Sequence, residues 1–398
     1  MNVARHSEPS KQFPAPQAAV GSRLSAVGNA GAASAGIQPS SFIVPPPPTV
    51  RSRPTRVLLA GPLLAMEAPG GGEIQMLSLG RALPEIGVRA RLWRPWEDDL
   101  AEADCLHLFG SRPEHLEIIA AARRAKLRVA LSTITWYGLE QCWREPRSAA
   151  RRLASCARFI ARAGCPRLPS WRRQLYKSVD LLMPNSYAEA QQLIHYFGVP
   201  PGKIRVVPNG ADLRFAQCDP RPFVERFGLR DFVLYAGRIE PRKNQLGFLQ
   251  AMRGSNVPIV VLGDVVPGHE RYLAECRRVA GQSVTFINRL EHGDPLLAAA
   301  YGACGCLALA SWYETPGLVA LEAGMSGIPL VLPNAGCAAE YFGPLASYVA
   351  PGDAAGIRRA VQSALSQGRN PGLAEHVQKN FSWHAAAEVT REAYATIV

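Results

Sequence analysis

The stretch "SWYETPGLVALEAGMSGIPLVLPNAGCAAE", Ser311 to Glu340, reads as loop, helix, turn and strand in one pass. Pro316 and Gly317 mark a helix start, because Pro is tolerated at the first helical position and Gly lets another group approach the backbone. Leu318, Val319, Leu321, Ala323 and Met325 carry the helix on, and "IPLVLP" after Gly327 is a short apolar run suited to a strand buried on both faces. A helix that feeds such a strand is a repeating unit of a doubly wound parallel sheet.

The same alternation extends upstream. "FVLYAGRIE", "PIVVLG", "VTFIN" and "CLALAS" read as strands, with helices over Gln245 to Met252 and Pro295 to Ala303, and "KIRVVPNGAD" (Lys203 to Asp212) reads as the strand that opens this half. The first half starts with "RVLLAGPLLAM" (Arg56 to Met66), the loop "EAPGGGE" and a helix from Glu73 in which Met76, Leu79, Leu83 and Ile86 step at three and four residues. "VRARLWRP", "DCLHLFG", "RVALSTI" and "VDLLMPN" follow as further strands. The expectation is an α/β protein of two Rossmann-like doubly wound domains, 55–205 and 206–380, facing across a cleft where ligands of such sheets bind. Residues 381–398 form a terminal helix, N-capped by Ser382 and expected to cross back to the first domain.

Bulk properties agree. The chain has 398 residues, 47 % hydrophobic and 19 % charged, enough for two cores. No run approaches the roughly 20 apolar residues of a spanning helix. Nine cysteines, an odd number without a C-x-x-C pair, point to buried thiols in a reducing compartment. Residues 1–54, rich in Ala, Ser, Gly and Pro and closed by "PPPP", read as a disordered tail, in preference to a transit peptide.

Two carboxylates, Glu314 and Glu322, bracket the helix start with seven residues between them. The amides of Gly317, Leu318 and Val319 offer an anion site between them, which the helix dipole favours. That layout suits a ligand with a phosphate bridge in the middle and hydroxylated groups at both ends, as in a nucleotide sugar. Arg238 and Lys243 in "YAGRIEPRKNQ" follow a strand directly, and two cations there neutralise a departing diphosphate, so no metal is called for. No D-x-D pair for a divalent ion occurs.

"GRIEPRK", "ETPGLVALEAGMSGIPLV", "PNGAD", "GGGE" and the terminal "FSW" together resemble the retaining GT-B glycosyltransferases of the GT4 type, over about residues 55–398. The resemblance implies that Arg238 and Lys243 bind the donor diphosphate. Gly237, Thr315, Gly317, Leu318 and Val319 would surround its phosphates, Glu322 would take the ribose and Glu314 the transferred sugar. Arg289 and Leu290 would grip the nucleobase, and Gly71 and Gly72 would face the donor from the other domain. It further implies retention of anomeric configuration, no cofactor beyond a UDP- or GDP-sugar donor, and a glycan or lipid-linked acceptor of cell-surface polysaccharide or glycolipid synthesis. Many of these enzymes carry a His after the fourth strand, near the reacting carbon. Here that segment is "LSTITWYG", with Thr133, Thr135 and Trp136, while His107 reads as a packed strand-end residue. A catalytically silent GT-B protein that binds nucleotide or glycan is therefore the competing class.

The net charge of +12 is concentrated: from Trp143 to Lys177 there are nine Arg and one Lys against a single acid, Glu145. Arg147, Arg151, Arg158 and Arg162 recur at helical intervals, while Leu153, Ala157, Ile160 and Ala161 collect elsewhere. Such a helix can rest on an anionic bilayer and bring the cleft to a lipid-linked acceptor. A cytoplasmic protein peripheral on the inner membrane face follows as the expectation. Nucleic acid is disfavoured, since no binding module surrounds Trp136, Trp143 and Trp171.

Overall fold

The computed structural model describes residues 54–61, 70–144, 148–315 and 317–398, all within one compact unit, Phe42–Val398. The expected tail lies outside the described residues apart from its last position, as do residues 62–69 of the first strand and loop.

Five parallel strands make the first sheet: β1 (Arg56–Ala60), β2 (Arg89–Leu92), β3 (Cys105–Phe109), β4 (Arg128–Ser132) and β5 (Leu181–Leu182), in the order β2-β1-β3-β4-β5. The helices that follow these strands are α1 (Gly71–Glu85), α2 (His115–Arg124), α3 (Leu139–Arg144), α4 (Ala149–Gly164), α5 (Trp171–Ser178) and α6 (Tyr187–Phe197). Alternation along β1 sends Val57 and Leu59 to a core under α1, and Leu58 and Ala60 to a core on the opposite face. The edge strand β2 instead exposes Arg89 and Arg91, charges that discourage further pairing.

Six parallel strands make the second sheet, in the order β11-β10-β9-β6-β7-β8: β6 (Phe232–Ala236), β7 (Ile259–Leu262), β8 (Val284–Ile287), β9 (Cys304–Ala308), β10 (Leu330–Pro333) and β11 (Ser347–Val349). Its helices are α7 (Arg221–Phe227), α8 (Gln245–Met252), α9 (Glu270–Val279), α10 (Pro295–Ala303), α11 (Leu318–Met325), α12 (Ala338–Phe342), α13 (Ala354–Gln367) and α14 (Pro371–Asn380). Both orders are those of doubly wound sheets, with a topological switch point between β1 and β3 in one and between β6 and β9 in the other.

The last helix, α15 (Trp383–Ala395), packs along α1 and places Ala387 and Tyr394 in the core of the first sheet. Its entry explains the "PNGAD" segment. A Cβ on Gly210 would lie 2.4 Å from the Ser382 carbonyl carbon and from the Trp383 nitrogen, so only glycine lets the two segments cross. The Ala211 amide donates to the Phe381 carbonyl at 2.8 Å beside that crossing.

Two sequence readings are corrected. "KIRVVPNGAD" is not a strand of the second sheet. It runs extended beside β5, where the Arg205 amide donates to Leu182 and the Val207 amide to the Pro184 carbonyl. The helix expected from Glu73 begins at Gly71, with Gly70 as its N-cap, because the Glu73 carboxylate accepts the Gly70 amide at 2.8 Å and closes the first turn. No helix among the described residues is long and apolar enough to cross a membrane.

Candidate functional site

The second sheet's switch point is built around Gly237, Lys243 and Glu314. Gly237 follows β6 with φ 141°, and the chain at Gly263 passes so close that a Cβ there would sit 2.1 Å from the Gly237 oxygen. The turn Pro241–Lys243 then ends on Asn244 in the left-handed conformation, φ 56°, which Asn tolerates better than most residues. Asn244 fastens this turn to the rest of the sheet by donating to Ala310 O at 2.9 Å and Pro351 O at 3.0 Å. The buried Tyr235 hydroxyl donates to the Lys243 carbonyl and accepts the Ala310 amide. Lys243 is thereby turned inward, and its Nζ meets Glu314 Oε1 at 2.6 Å with both side chains buried.

Glu314 is held as firmly by its backbone. The Cys337 amide donates to the Glu314 carbonyl at 3.1 Å, and Gly336, at φ 105°, lies against it so that a Cβ would stand 2.0 Å from that oxygen. Burial works against the carboxylate, but the Lys243 and Arg242 cations overcome it and hold Glu314 below the ordinary carboxylate range, so Glu314 is ionised; burial in turn lowers Lys243 against the pull of that carboxylate. Its second oxygen, Oε2, lies next to Gly317. Gly317 is the N-cap of α11 and carries no side-chain cap. The first amide to bond back is that of Ala320, at 2.9 Å to the Gly317 carbonyl. Oε2 of Glu314 thus lies beside the start of α11, where a Cβ on Gly317 would stand 3.5 Å from it; Pro316 lies outside the described residues.

Glu322 occupies the opposite kind of environment. It is buried inside α11, accepts the Tyr301 hydroxyl at 2.6 Å through Oε2, and has His292 Nδ1 at 3.5 Å from Oε1. Burial pushes its carboxyl up to about 7, with the Tyr301 bond opposing, and burial pushes His292 down to about 4. Near neutrality the imidazole is uncharged, so this contact is not an ion pair. Arg289 and Leu290, just before His292, sit at the carboxyl end of β8. The Arg289 amide is held by Asp264 at 3.0 Å and its guanidinium by Glu291 at 2.9 Å.

Across the cleft, the first sheet's switch point opens into a cavity of about 290 Å³. Gly70, Gly71 and Gly72 line it after β1, Ser111 and Arg112 after β3, and Arg238 reaches in from the second sheet. A side chain on Gly70 would lie 3.5 Å from the Arg238 guanidinium, and one on Gly71 3.9 Å from Leu318, so these glycines face the second sheet's site. The two cations paired in the sequence reading separate here: Lys243 is sealed on Glu314, whereas the Arg238 side chain is 56 % exposed and turned to this cavity. Ser111, Arg112, Tyr301 and His292 were not anticipated; of these, Ser111 and Arg112 follow a strand end directly, a position the strand order marks as ligand-facing. Among the described residues no group of three or more His, Cys, Asp or Glu side chains could hold a metal ion.

His107 is a packed residue. It is fully buried, with Nδ1 2.7 Å from the Tyr394 hydroxyl and Nε2 2.9 Å from Ser132 Oγ, and burial pushes it down to about 3, so it is neutral.

The basic helix needs correction. Arg162 is not on an exposed face: it is buried, donates to the Leu168 and Pro169 carbonyls at 3.1 and 3.3 Å, and lies over the Phe197 ring. Arg147 lies outside the described residues. Arg151 and Arg158 are exposed, and so are Leu153 and Ile160, at 61 % and 63 %.

Comparison with known proteins bears on this geometry. The family described as "Glycosyl transferases group 1" matches residues 221–381, and that described as "Glycosyltransferase Family 4" matches residues 69–215. D-inositol 3-phosphate glycosyltransferase 2 of Catenulispora acidiphila is 30 % identical over 250 residues, covering 56 % of this chain and 57 % of that protein. The chain spans a little over half the length of the curated relatives it matches. Sucrose-phosphate synthase from Thermosynechococcus elongatus superposes with a TM-score of 0.68 at 19 % identity, over 86 % of this chain and 99 % of that one. An Anabaena protein, HepE, solved with UDP and glucose, gives 0.64 at 16 % identity, over 87 % and 100 %. These structural likenesses establish the fold, two Rossmann-like sheets in the GT-B arrangement.

Proposed function

The chain belongs to the glycosyltransferases of group 1 and family 4, with the GT-B fold, and on that premise we propose that it moves a sugar from a UDP- or GDP-sugar to a glycan or lipid-linked acceptor. Transfer retains the anomeric configuration, needs no metal ion, and serves polysaccharide or glycolipid assembly. The observation that carries this reading is the buried Lys243–Glu314 pair set beside the uncapped start of α11. As the sugar carbon gains oxocarbenium character, negative charge grows on the leaving diphosphate. Amides already aimed at that charge, with Arg238 and Lys243 close by, stabilise it without reorganising at the moment of reaction. Glu314 uses Oε2 for a hydroxyl of the transferred sugar, while Lys243 occupies Oε1. Glu322 takes ribose hydroxyls on Oε1, Tyr301 holding the other oxygen. Arg289 and Leu290 border the base, and Gly71 and Gly72 close on the donor from the first sheet. The structure solved with UDP and glucose is consistent with this donor class.

Peripheral membrane contact is part of the proposal. Leu153 and Ile160 enter the headgroup boundary while Arg151 and Arg158 meet anionic lipid, which brings a lipid-linked acceptor to the cleft.

A melting screen with UDP, GDP and their sugars, run with a chelator present, tests the donor assignment. A ligand at 100 times its Kd stabilises the fold by about 2.7 kcal/mol. A response to one nucleoside diphosphate is expected, and silence to all of them refutes the donor assignment. Release of that diphosphate when acceptor is added separates an enzyme from a silent binder.

A further inference from the structure

The loop that follows β4, residues 133–138, is buried or half-buried and tightly held. Ile134 has φ 43°, a conformation that costs a β-branched residue on the order of 1–3 kcal/mol and persists only where the surroundings enforce it. The enforcing group is the buried Glu189 of α6. Its Oε1 accepts the Thr133 hydroxyl at 2.5 Å and the Thr135 amide at 2.8 Å, while Oε2 accepts the Asn185 amide at 2.9 Å. Gln192 takes the Tyr137 amide at 2.7 Å, and Ser111 donates both its amide and its hydroxyl to the Thr133 carbonyl.

This bracing sorts three large side chains. Ile134 is directed at Gly72, where a Cβ would stand 3.2 Å away. Tyr137 turns inward to a cluster with Phe159, Tyr196 and Phe197. Trp136 turns the other way, across the cleft, and lies parallel to Tyr313 of the second sheet, centroids 6.4 Å apart and planes within 14°. Tyr313 directly precedes Glu314 and carries the Arg242 guanidinium over its ring at 5.4 Å.

We propose that Trp136 and Tyr313 form the acceptor platform and that the acceptor group they receive is a neutral carbohydrate ring. The proposal rests on the glycosyl transfer argued above and names the acceptor side of that site. An aromatic face accepts the C–H face of a sugar and leaves its hydroxyls at the rim, where the Arg242 guanidinium lies over Tyr313. The loop "TITWYG" (Thr133 to Gly138) carries no charged side chain, so it favours a sugar ring over a bare phosphate. Glu189 touches no substrate here; it is a positioning residue that keeps Trp136 facing the cleft.

The test is a glycan array probed with the full chain saturated with UDP or GDP, whichever raises its melting temperature. Wild type should retain one class of glycan. W136A and Y313A should lose at least tenfold of that retention, and W136F should recover most of it. The nucleotide-induced melting shift, read on the same samples, separates a lost platform from a lost fold. W136A holding glycan as wild type does, or nucleotide-loaded wild type retaining no glycan at all, overturns the proposal. If no nucleoside diphosphate shifts the melting temperature, the donor reading fails instead, before the array is reached.

Discussion

The two switch points of this molecule are made from opposite materials. At the second sheet the groups are charged, buried and individually fastened: Lys243 on Glu314, Asn244 on two carbonyls, Gly336 against the Glu314 backbone. At the first sheet the lining is three consecutive glycines, an exposed arginine and a strained loop that ends in an aromatic ring. A group that must meet developing charge gains from being preorganised. A surface that must accept a variable polyhydroxylated partner gains from shape and aromatic area. On the proposed function, the contrast is that of a fixed donor seat and an adjustable acceptor face.

Breaking the fixed side should cost the most. Lys243→Ala removes the cation bonded directly to the buried Glu314 and leaves it only Arg242 nearby, a change worth about 3–5 kcal/mol when one partner of a buried pair is removed. Thermal melts should show that loss, and the double variant K243A/E314A should melt above K243A alone because the stranded charge is gone. A K243A melting curve matching wild type would place the pair in solvent. Arg238→Ala provides the sharper contrast. Its side chain is 56 % exposed, so stability should move by less than about 0.5 kcal/mol. Turnover should still fall about 10²-fold, the scale of removing one group that stabilises transition-state charge. A rise in KM with unchanged kcat would make Arg238 a binding residue only.

The two buried glutamates allow a pH comparison between the regions. Glu189 in the first sheet's half and Glu322 in the second are each raised to about 7 from the ordinary 4.5, chiefly by burial. A carboxyl raised on folding contributes stability that is present below the unfolded value and is lost as pH rises through the folded one. Relative to E322Q, wild type should therefore lose on the order of 1–3 kcal/mol between pH 5 and pH 8, and the same should hold for E189Q. Taking differences against each Gln variant removes the opposing trend from the buried, neutral His107 and His292. A flat difference would show that the carboxyl is solvated. If donor binding relieves only Glu322, adding UDP or GDP should flatten its difference and leave that of Glu189 in place.

The smallest effect is expected on α4. Reversing Arg151 and Arg158 to Glu should leave the unfolding free energy within about 0.5 kcal/mol of wild type, since both are exposed. It should abolish sedimentation with phosphatidylglycerol vesicles at low salt. Equal sedimentation of variant and wild type would remove the membrane from the account.

The strand ends were legible because short apolar runs bounded by Gly and Pro leave few alternatives: β6, β7, β8 and β10 lie within the runs read from the residues, while β9 starts two residues before its run "CLALAS". The three-residue β11 gave no such run. "KIRVVPNGAD" misled because an extended segment beside a sheet has the same apolar composition as a strand within one. At the site, strand-end positions were readable one residue at a time, whereas partnerships were not. Nothing in the spacing of Lys243 and Glu314, 71 residues apart, shows that they form one ion pair. Glu189 shows how a local rule yields to a tertiary contact. Ser186-x-x-Glu189 has the spacing of a capping box, and Ser186 Oγ does cap the Glu189 amide at 3.1 Å. The carboxylate, however, accepts from Thr133, Thr135 and Asn185. Arg162 failed for a similar reason: a helical wheel places its side chain, but only the packed Phe197 and the two free carbonyls explain why it is buried.

The central claim is that the second sheet's switch point is a seat for a nucleoside diphosphate that needs no metal. It is tested most directly by a crystal structure with UDP or GDP grown in the presence of a chelator. The account predicts the diphosphate over the Gly317, Leu318 and Val319 amides, within hydrogen-bond reach of Arg238, with Lys243 still paired to Glu314. A diphosphate bound elsewhere, or one that occupies this place only when a divalent ion is restored, would contradict it.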